Sequence, residues 1–222
     1  MAQNSNRHRK SAQNTDGLLK TFGASLLALL AGLAMIFSTT DQGQAFTTET
    51  LRRSQVNRAP QATPDLSLID AEGRSSTLRD VLAKDGRVWI VDFVYTRCQT
   101  VCSSLGSIYQ QLQADILTRG LQNRIGLLSI SFDPENDNAL ALTEYTRRMR
   151  IDPDVWRIMT LSSPKDRRRL LDSFGIMVIP AALGEFEHNA ALHIVDSRGL
   201  LVNILDYAEP QIALQAALAL NR

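Results

Sequence analysis

The run VWIVDFVYTRCQTVC, from Val88 to Cys102, constrains this chain more than any other stretch. The eight residues from Val88 to Tyr95 read as a central strand buried on both faces. From Ser103 to Leu117 the apolar residues Leu105, Ile108, Leu112, Ile116 and Leu117 recur at steps of three, four, four and one. That spacing predicts one face of a helix. Cys98 and Cys102, the only cysteines of the chain, therefore stand where a strand hands over to a helix N-terminus. There the macrodipole and the unpaired backbone N–H groups favour a thiolate over a thiol.

The spacing is C-x-x-x-C, one residue longer than the C-x-x-C of thioredoxin-like oxidoreductases. Four residues of helix rise about 6 Å and bring side chains i and i+4 onto one face. Two thiols so placed can close a disulfide, whose Cα atoms usually lie about 4.4–6.8 Å apart. Reduced, they can grip one soft metal ion. The competing reading is a purely structural disulfide, or two buried thiols that happen to be neighbours.

The 222 residues leave room for one ordinary globular domain plus extras. Two cysteines exclude a disulfide-dense scaffold, and a net charge of +1 gives no electrostatic reason to expect nucleic acid. Residues 1–20 carry Arg7, Arg9, Lys10 and Lys20 against the single acid Asp16, and residues 21–40 carry no charge at all. The uncharged run is long enough to span a bilayer. Its basic flank puts residues 1–20 in the cytoplasm and exports the rest. We expect an uncleaved anchor over residues 21–40. The alternatives are a signal peptide cut near Gly43, Gln44 and Ala45, and a mitochondrial presequence. Each delivers the cysteine pair to an oxidising, exported space.

Residues 41–63 are polar, with scattered arginines and Pro60, and read as a tether to a domain over residues 64–222. An entry hairpin is expected around Asp70 to Gly73, with Thr77 capping a short helix from Leu78 to Ala83. Ile125 to Phe132 reads as a second buried strand, stopped by Pro134, with Asp137 placed to cap the next helix. Trp156 to Leu161 is a third strand, and Ser163 and Pro164 open a further helix. Arg147, Arg148 and Arg150, like Arg167, Arg168 and Arg169, read as solvated helix faces. Ala181 to His188 looks like a loop, Ala191 to Leu205 a hairpin, and Gln211 to Leu220 a closing helix. The pattern implies an α/β fold, a mixed central sheet with helices on both faces, preceded by one transmembrane helix. The thioredoxin-like fold is its compact form, with a functional cysteine at the end of a core strand.

Two thiolates cannot complete the sphere of a soft ion, so a third ligand is sought among the three histidines. His8 falls on the other side of the membrane. His193 lies inside a strand between Leu192 and Ile194, the place of a packed histidine, and His188 lies in the polar stretch EFEHN. In a thioredoxin-like sheet that stretch runs beside the cysteines, which favours His188 and leaves His193 as the alternative. Two thiolates and an imidazole suit Cu(I) and are compatible with Cu(II) or Zn(II). Glu185 and Glu187 could orient the imidazole or simply solvate the loop.

From about Pro64 to its C-terminus the chain resembles the Sco/SenC family, membrane-anchored copper proteins with a thioredoxin-like domain. The residues that carry the resemblance are VDFVYTRC ending at Cys98, with Cys102; SISFDP, holding Asp133 and Pro134, with Asp137; and His188 eleven residues before Gly199. It implies copper, Cu(I) or Cu(II), held by Cys98, Cys102 and His188, with Asp133 a modulator near the metal loop. It also implies delivery of that copper to the binuclear site of cytochrome c oxidase subunit II, with a copper donor or a thiol reductant as further partners. One departure is that Gln99 and Ser103 stand where family members commonly carry prolines after each cysteine.

The metallochaperone reading competes with a thiol–disulfide oxidoreductase that uses Cys98 and Cys102 as a redox pair. A peroxidase fits less well, because Thr96 stands one residue too near Cys98 for a peroxiredoxin-like site.

Overall fold

The computed structural model describes residues 5–39, 48–98, 101–181 and 185–220, with side chains at 20–38, 49–98, 105–181 and 185–220. The chain divides into two units, Met1–Leu51 and Arg52–Arg222. In the first, helix α1 spans Ser5–Thr39. Its segment Lys20–Ser38, 19 residues of mean hydropathy 2.0, is long and apolar enough to cross a membrane. Phe22, Leu27, Met35 and their apolar neighbours on that segment are all exposed. The cleavage site considered at Gly43 to Ala45 lies outside the described residues.

The stretch read as a tether is structured from Thr48 onward. Helix α2 (Thr48–Arg58) is followed by strand β1 (Gln61–Ala62). Val56 is fully buried, and Arg52 donates to the Phe174 carbonyl. Composition concealed this because one apolar side chain and one arginine secure an otherwise polar helix.

Strands β2 (Ser67–Asp70) and β3 (Ser75–Thr77) form the expected entry hairpin. Helix α3 (Leu78–Ala83) follows, with the Thr77 hydroxyl accepting the Asp80 N–H as its cap. All seven residues of β4 (Val88–Val94) and of β5 (Ile125–Ser131) are buried, and the two strands pair in parallel. Between them runs helix α4 (Val101–Thr118). Helix α5 (Ala139–Met149) is capped by Asn138, not by Asp137 as expected. Asp137 is fully buried and bonded elsewhere, so the next residue takes the cap.

Strand β6 (Trp156–Leu161) continues the parallel set, and a 3-10 turn capped by Ser163 leads into helix α6 (Arg167–Phe174). Strands β7 (Val178–Pro180) and β8 (Phe186–His188) then pair with one another in antiparallel fashion, Val178 opposite His188. The loop expected from Ala181 to His188 thus ends in a strand. Two three-residue strands carrying exposed Glu187 and Ile179 give too short an alternation to stand out in a sequence. Strands β9 (Leu192–Val195) and β10 (Leu200–Leu205) and helix α7 (Pro210–Leu220) complete the chain.

The main sheet has eight strands in the order β1-β10-β9-β4-β5-β6-β2-β3, and β7-β8 is a separate two-stranded sheet. In β4 the side chains alternate between faces: Asp92 points toward Tyr109 of α4, and Phe93 packs on Phe174 of α6 with ring centroids 4.9 Å apart. Helices therefore cover both faces of a mixed sheet, the thioredoxin-like arrangement. The site expected at the end of β4 lies at the sheet's centre.

Candidate metal centre

Beyond Val94 the chain leaves the sheet in a tight turn, and the Cys98 N–H donates to the Tyr95 carbonyl at 3.2 Å. Cys98 is 7% exposed, three residues before the start of α4. Cys102 lies in the first turn of α4. Its side chain, with residues 99–100, falls outside the described structure.

Side chains from the β5–α5 connection and from α5 hold this turn. Asp137 accepts the Thr96 N–H at 2.9 Å, the Thr96 hydroxyl at 2.6 Å and the Ser131 hydroxyl at 2.5 Å. Burial pushes the Asp137 carboxyl above its usual pKa, and the hydroxyls of Ser131 and Thr96 oppose the shift. Arg148 donates to the Thr96 carbonyl at 2.8 Å. One arginine of the cluster read as a solvated face thus spans back to the cysteine turn.

Asp133, the expected modulator, is 2% exposed and bonds Arg97 at 3.1 Å and the Asn136 amide at 2.9 and 3.0 Å, with Arg167 at 3.8 Å. Through this ion pair it touches the residue before Cys98.

His188 ends β8 with its ring edge-on to Phe132, centroids 5.3 Å apart, and to Tyr95 at 6.4 Å. Its Nδ1 lies 3.0 Å from the Asn189 carbonyl. That contact requires a proton on Nδ1, so the neutral ring carries its lone pair on Nε2. Burial draws the pKa below the ordinary histidine value, against the opposing pull of the Asn189 carbonyl and the Cys98 thiolate. Cys98 and His188, ninety residues apart in the sequence, thus stand within electrostatic reach of one another.

His193 is different in kind. It is fully buried in β9, with Nδ1 3.3 Å from the Val91 carbonyl and Nε2 3.1 Å from the Phe174 carbonyl. Both nitrogens face backbone oxygens, so this ring ties β4 to α6.

Tyr95 is a residue that sequence reasoning passed over. Its hydroxyl donates to Glu185 Oε2 at 2.5 Å, accepts the Phe186 N–H at 3.2 Å and lies beside the Cys98 thiol. Burial, then the Glu185 carboxylate, raise the phenol's pKa above its usual range. Glu185 is therefore turned onto Tyr95 rather than onto His188, and Glu187 is exposed. The signal available in the sequence was a lone hydroxyl at the end of an apolar strand.

A cleft of about 650 Å³, lined by Thr96, Arg97, Cys98, Asn136, Arg148 and Glu185, gives access to the turn. Among the described side chains, which leave out that of Cys102, no group of three His, Cys, Asp or Glu is placed to hold a metal ion. The thiol of Cys98 and the imidazole of His188, both beside the Tyr95 ring, offer donor chemistry that suits a soft ion.

Comparison with known proteins places the chain in a family and supports its fold. The SCO1/SenC family model matches residues 54–220. An SCO1 protein homolog of Bacillus subtilis is 28% identical over 116 residues, 51% of this chain and 59% of the relative, so the match spans little more than half of either. The solved structure of BsSco, a member of the Sco family of cytochrome c oxidase assembly proteins in which a disulfide switch was identified, superposes with a TM-score of 0.63 at 21% identity. It covers 73% of this chain and 95% of that one. Bradyrhizobium japonicum ScoI with copper bound gives a TM-score of 0.57 at 23% identity over 72% of this chain and 99% of its own. With three quarters of its length matched by one family model, this chain belongs to the SCO1/SenC family.

Proposed function

We propose that this protein is a copper carrier for cytochrome c oxidase assembly, holding one copper ion through Cys98, Cys102 and His188. In this reading copper is cargo, collected from a donor protein and passed to the binuclear site of subunit II. Residues 21–40 anchor the chain in the inner membrane, residues 1–20 stay in the cytoplasm, and the copper-binding domain over residues 64–222 works in the periplasm.

The observation that carries the reading is that Tyr95 borders both His188, edge-on at 6.4 Å, and Cys98, while the Asn189 carbonyl holds the imidazole proton on Nδ1 so that Nε2 can donate. Family membership and the copper-bound relative support the choice of metal. The test is copper titration of the reduced full-length protein in detergent. The expected result is one ion per chain with sulfur-to-copper charge-transfer absorption. Loss of the imidazole in His188→Ala should weaken binding at least about tenfold, or about 1.4 kcal/mol. Unchanged affinity in that variant would remove His188 from the ligand set.

A second reading is favoured by the position of Cys98 at a helix N-terminus and by the disulfide switch of BsSco: a thiol–disulfide oxidoreductase that reduces partner cysteines. Its turnover would survive His188→Ala and vanish in Cys98→Ser.

A further inference from the structure

We propose that the Tyr95 hydroxyl is a latch that holds the β7–β8 hairpin, and with it the His188 imidazole, against the Cys98 turn. The need for a latch follows from topology. Among the described residues the hairpin shares no strand pairing with the eight-stranded sheet, so its position over the body depends on side chains. At the His188 end Asn189 supplies one fastening. Its amide donates to the Gly175 carbonyl at 3.1 Å and accepts the Met177 N–H at 2.7 Å. That fastening joins the hairpin to its own entry segment.

Toward Cys98 the polar connection is Tyr95. One phenol oxygen meets the carboxylate of Glu185, just before β8, and the backbone of Phe186, its first residue. The bond to a carboxylate is charge-assisted and sits at the short end of its range. Tyr95 leaves β4 three residues before Cys98 and its oxygen borders the thiol, so a single side chain touches the surroundings of both proposed ligands. The bland alternative is that Tyr95 merely fills space. Its ring does pack edge-on to Phe186 at 5.3 Å, and phenylalanine would preserve that contact. The two accounts therefore part at the oxygen atom. The metal-directed half of this inference rests on the copper reading above; the latch itself does not.

The experiment compares wild type, Tyr95→Phe and Glu185→Gln as full-length proteins in detergent. Hydrogen–deuterium exchange is followed by mass spectrometry in the reduced, metal-free state. Loss of the hydroxyl should speed exchange across residues 185–190 about tenfold, the effect of one strong hydrogen bond, with peptides from β4 and β5 unchanged. Glu185→Gln, which keeps a weaker acceptor, should fall between. A second arm loads Cu(I) and follows its loss to a chelator, expected about tenfold faster in Tyr95→Phe. Unchanged hairpin exchange in both variants overturns the latch, whatever copper does. Faster exchange with unchanged copper loss overturns its service to the metal. A wild type that takes no copper defeats the copper reading, while the exchange arm still decides the latch.

Discussion

Asp137 accepts both the backbone N–H and the hydroxyl of Thr96, at 2.9 and 2.6 Å, from a position with no solvent exposure. Thr96 stands two residues before Cys98, so this pair sets where the cysteine turn leaves the sheet. Replacing Asp137 by alanine strands three donors, those of Thr96 and that of Ser131. Buried unpaired groups cost about 1–3 kcal/mol each, and with partial relaxation we expect Asp137→Ala to lose about 3 kcal/mol overall. Denaturant unfolding measures that loss. Alkylation of Cys98 in the folded state should also quicken, because the turn is no longer held.

Asp92 gives the chain a pH dependence of defined sign. It is 1% exposed, neither carboxyl oxygen has a hydrogen-bond partner, and burial raises its pKa to about 7 despite the nearby Ser129 and Tyr109 hydroxyls. The folded chain therefore keeps a proton that the unfolded chain releases near pH 4. The contribution to stability is complete below that pH and is lost as pH rises through about 7. At 1.36 kcal/mol per unit the whole loss is roughly 4 kcal/mol. Unfolding free energies measured at pH 5 and pH 8 should differ less in Asp92→Asn than in wild type by roughly 3 kcal/mol, the part of that loss falling above pH 5.

His188 and His193 should separate cleanly. His193→Ala removes a buried ring wedged between two carbonyls and between Phe93 and Phe174, and should lower stability by about 3 kcal/mol. Copper stoichiometry and the charge-transfer spectrum should stay as in wild type. His188→Ala should do the reverse, sparing the unfolding midpoint and weakening copper. Loss of copper from His193→Ala at a temperature where it remains folded would contradict this assignment.

Gly175 closes α6 at φ 63°, and a side chain added there would meet the Arg52 guanidinium of α2. Gly175→Ala combines left-handed strain of about 1–2 kcal/mol with that collision. In a double-mutant cycle with Arg52→Ala the collision disappears and only the backbone strain persists, so the two changes should fall short of additivity. Strict additivity in denaturant melts would show that α2 does not rest on Gly175.

What the sequence disclosed followed the strength of its local patterns. Val88 to Val94 and Trp156 to Leu161 announce themselves as mostly apolar runs rich in β-branched and aromatic residues or long aliphatic ones, and Leu78 to Ala83 by the Thr77 cap. Helix α2 did not, because its attachment rests on the burial of Val56 and on Arg52 meeting Phe174, 122 positions away. Asp137 satisfied the spacing rule for a cap and yet serves the cysteine turn, since hydrogen bonding across the fold outweighs a local preference. Cys98 and His188 were visible as donors by residue type. Tyr95 and Arg148 were hidden, because an aromatic in a strand and an arginine on a helix have ordinary explanations until the fold brings Glu185 and Thr96 to them.

The separateness of the β7–β8 hairpin has a bearing on release. The copper carrier proposed above must surrender what it grips, and a donor atom built into the central sheet could withdraw only by breaking that sheet. His188 rides on a flap whose departure breaks no rung of the eight-stranded ladder. Unloading would then proceed by swinging one imidazole aside, with the sulfur side of the site left standing to receive the next ion.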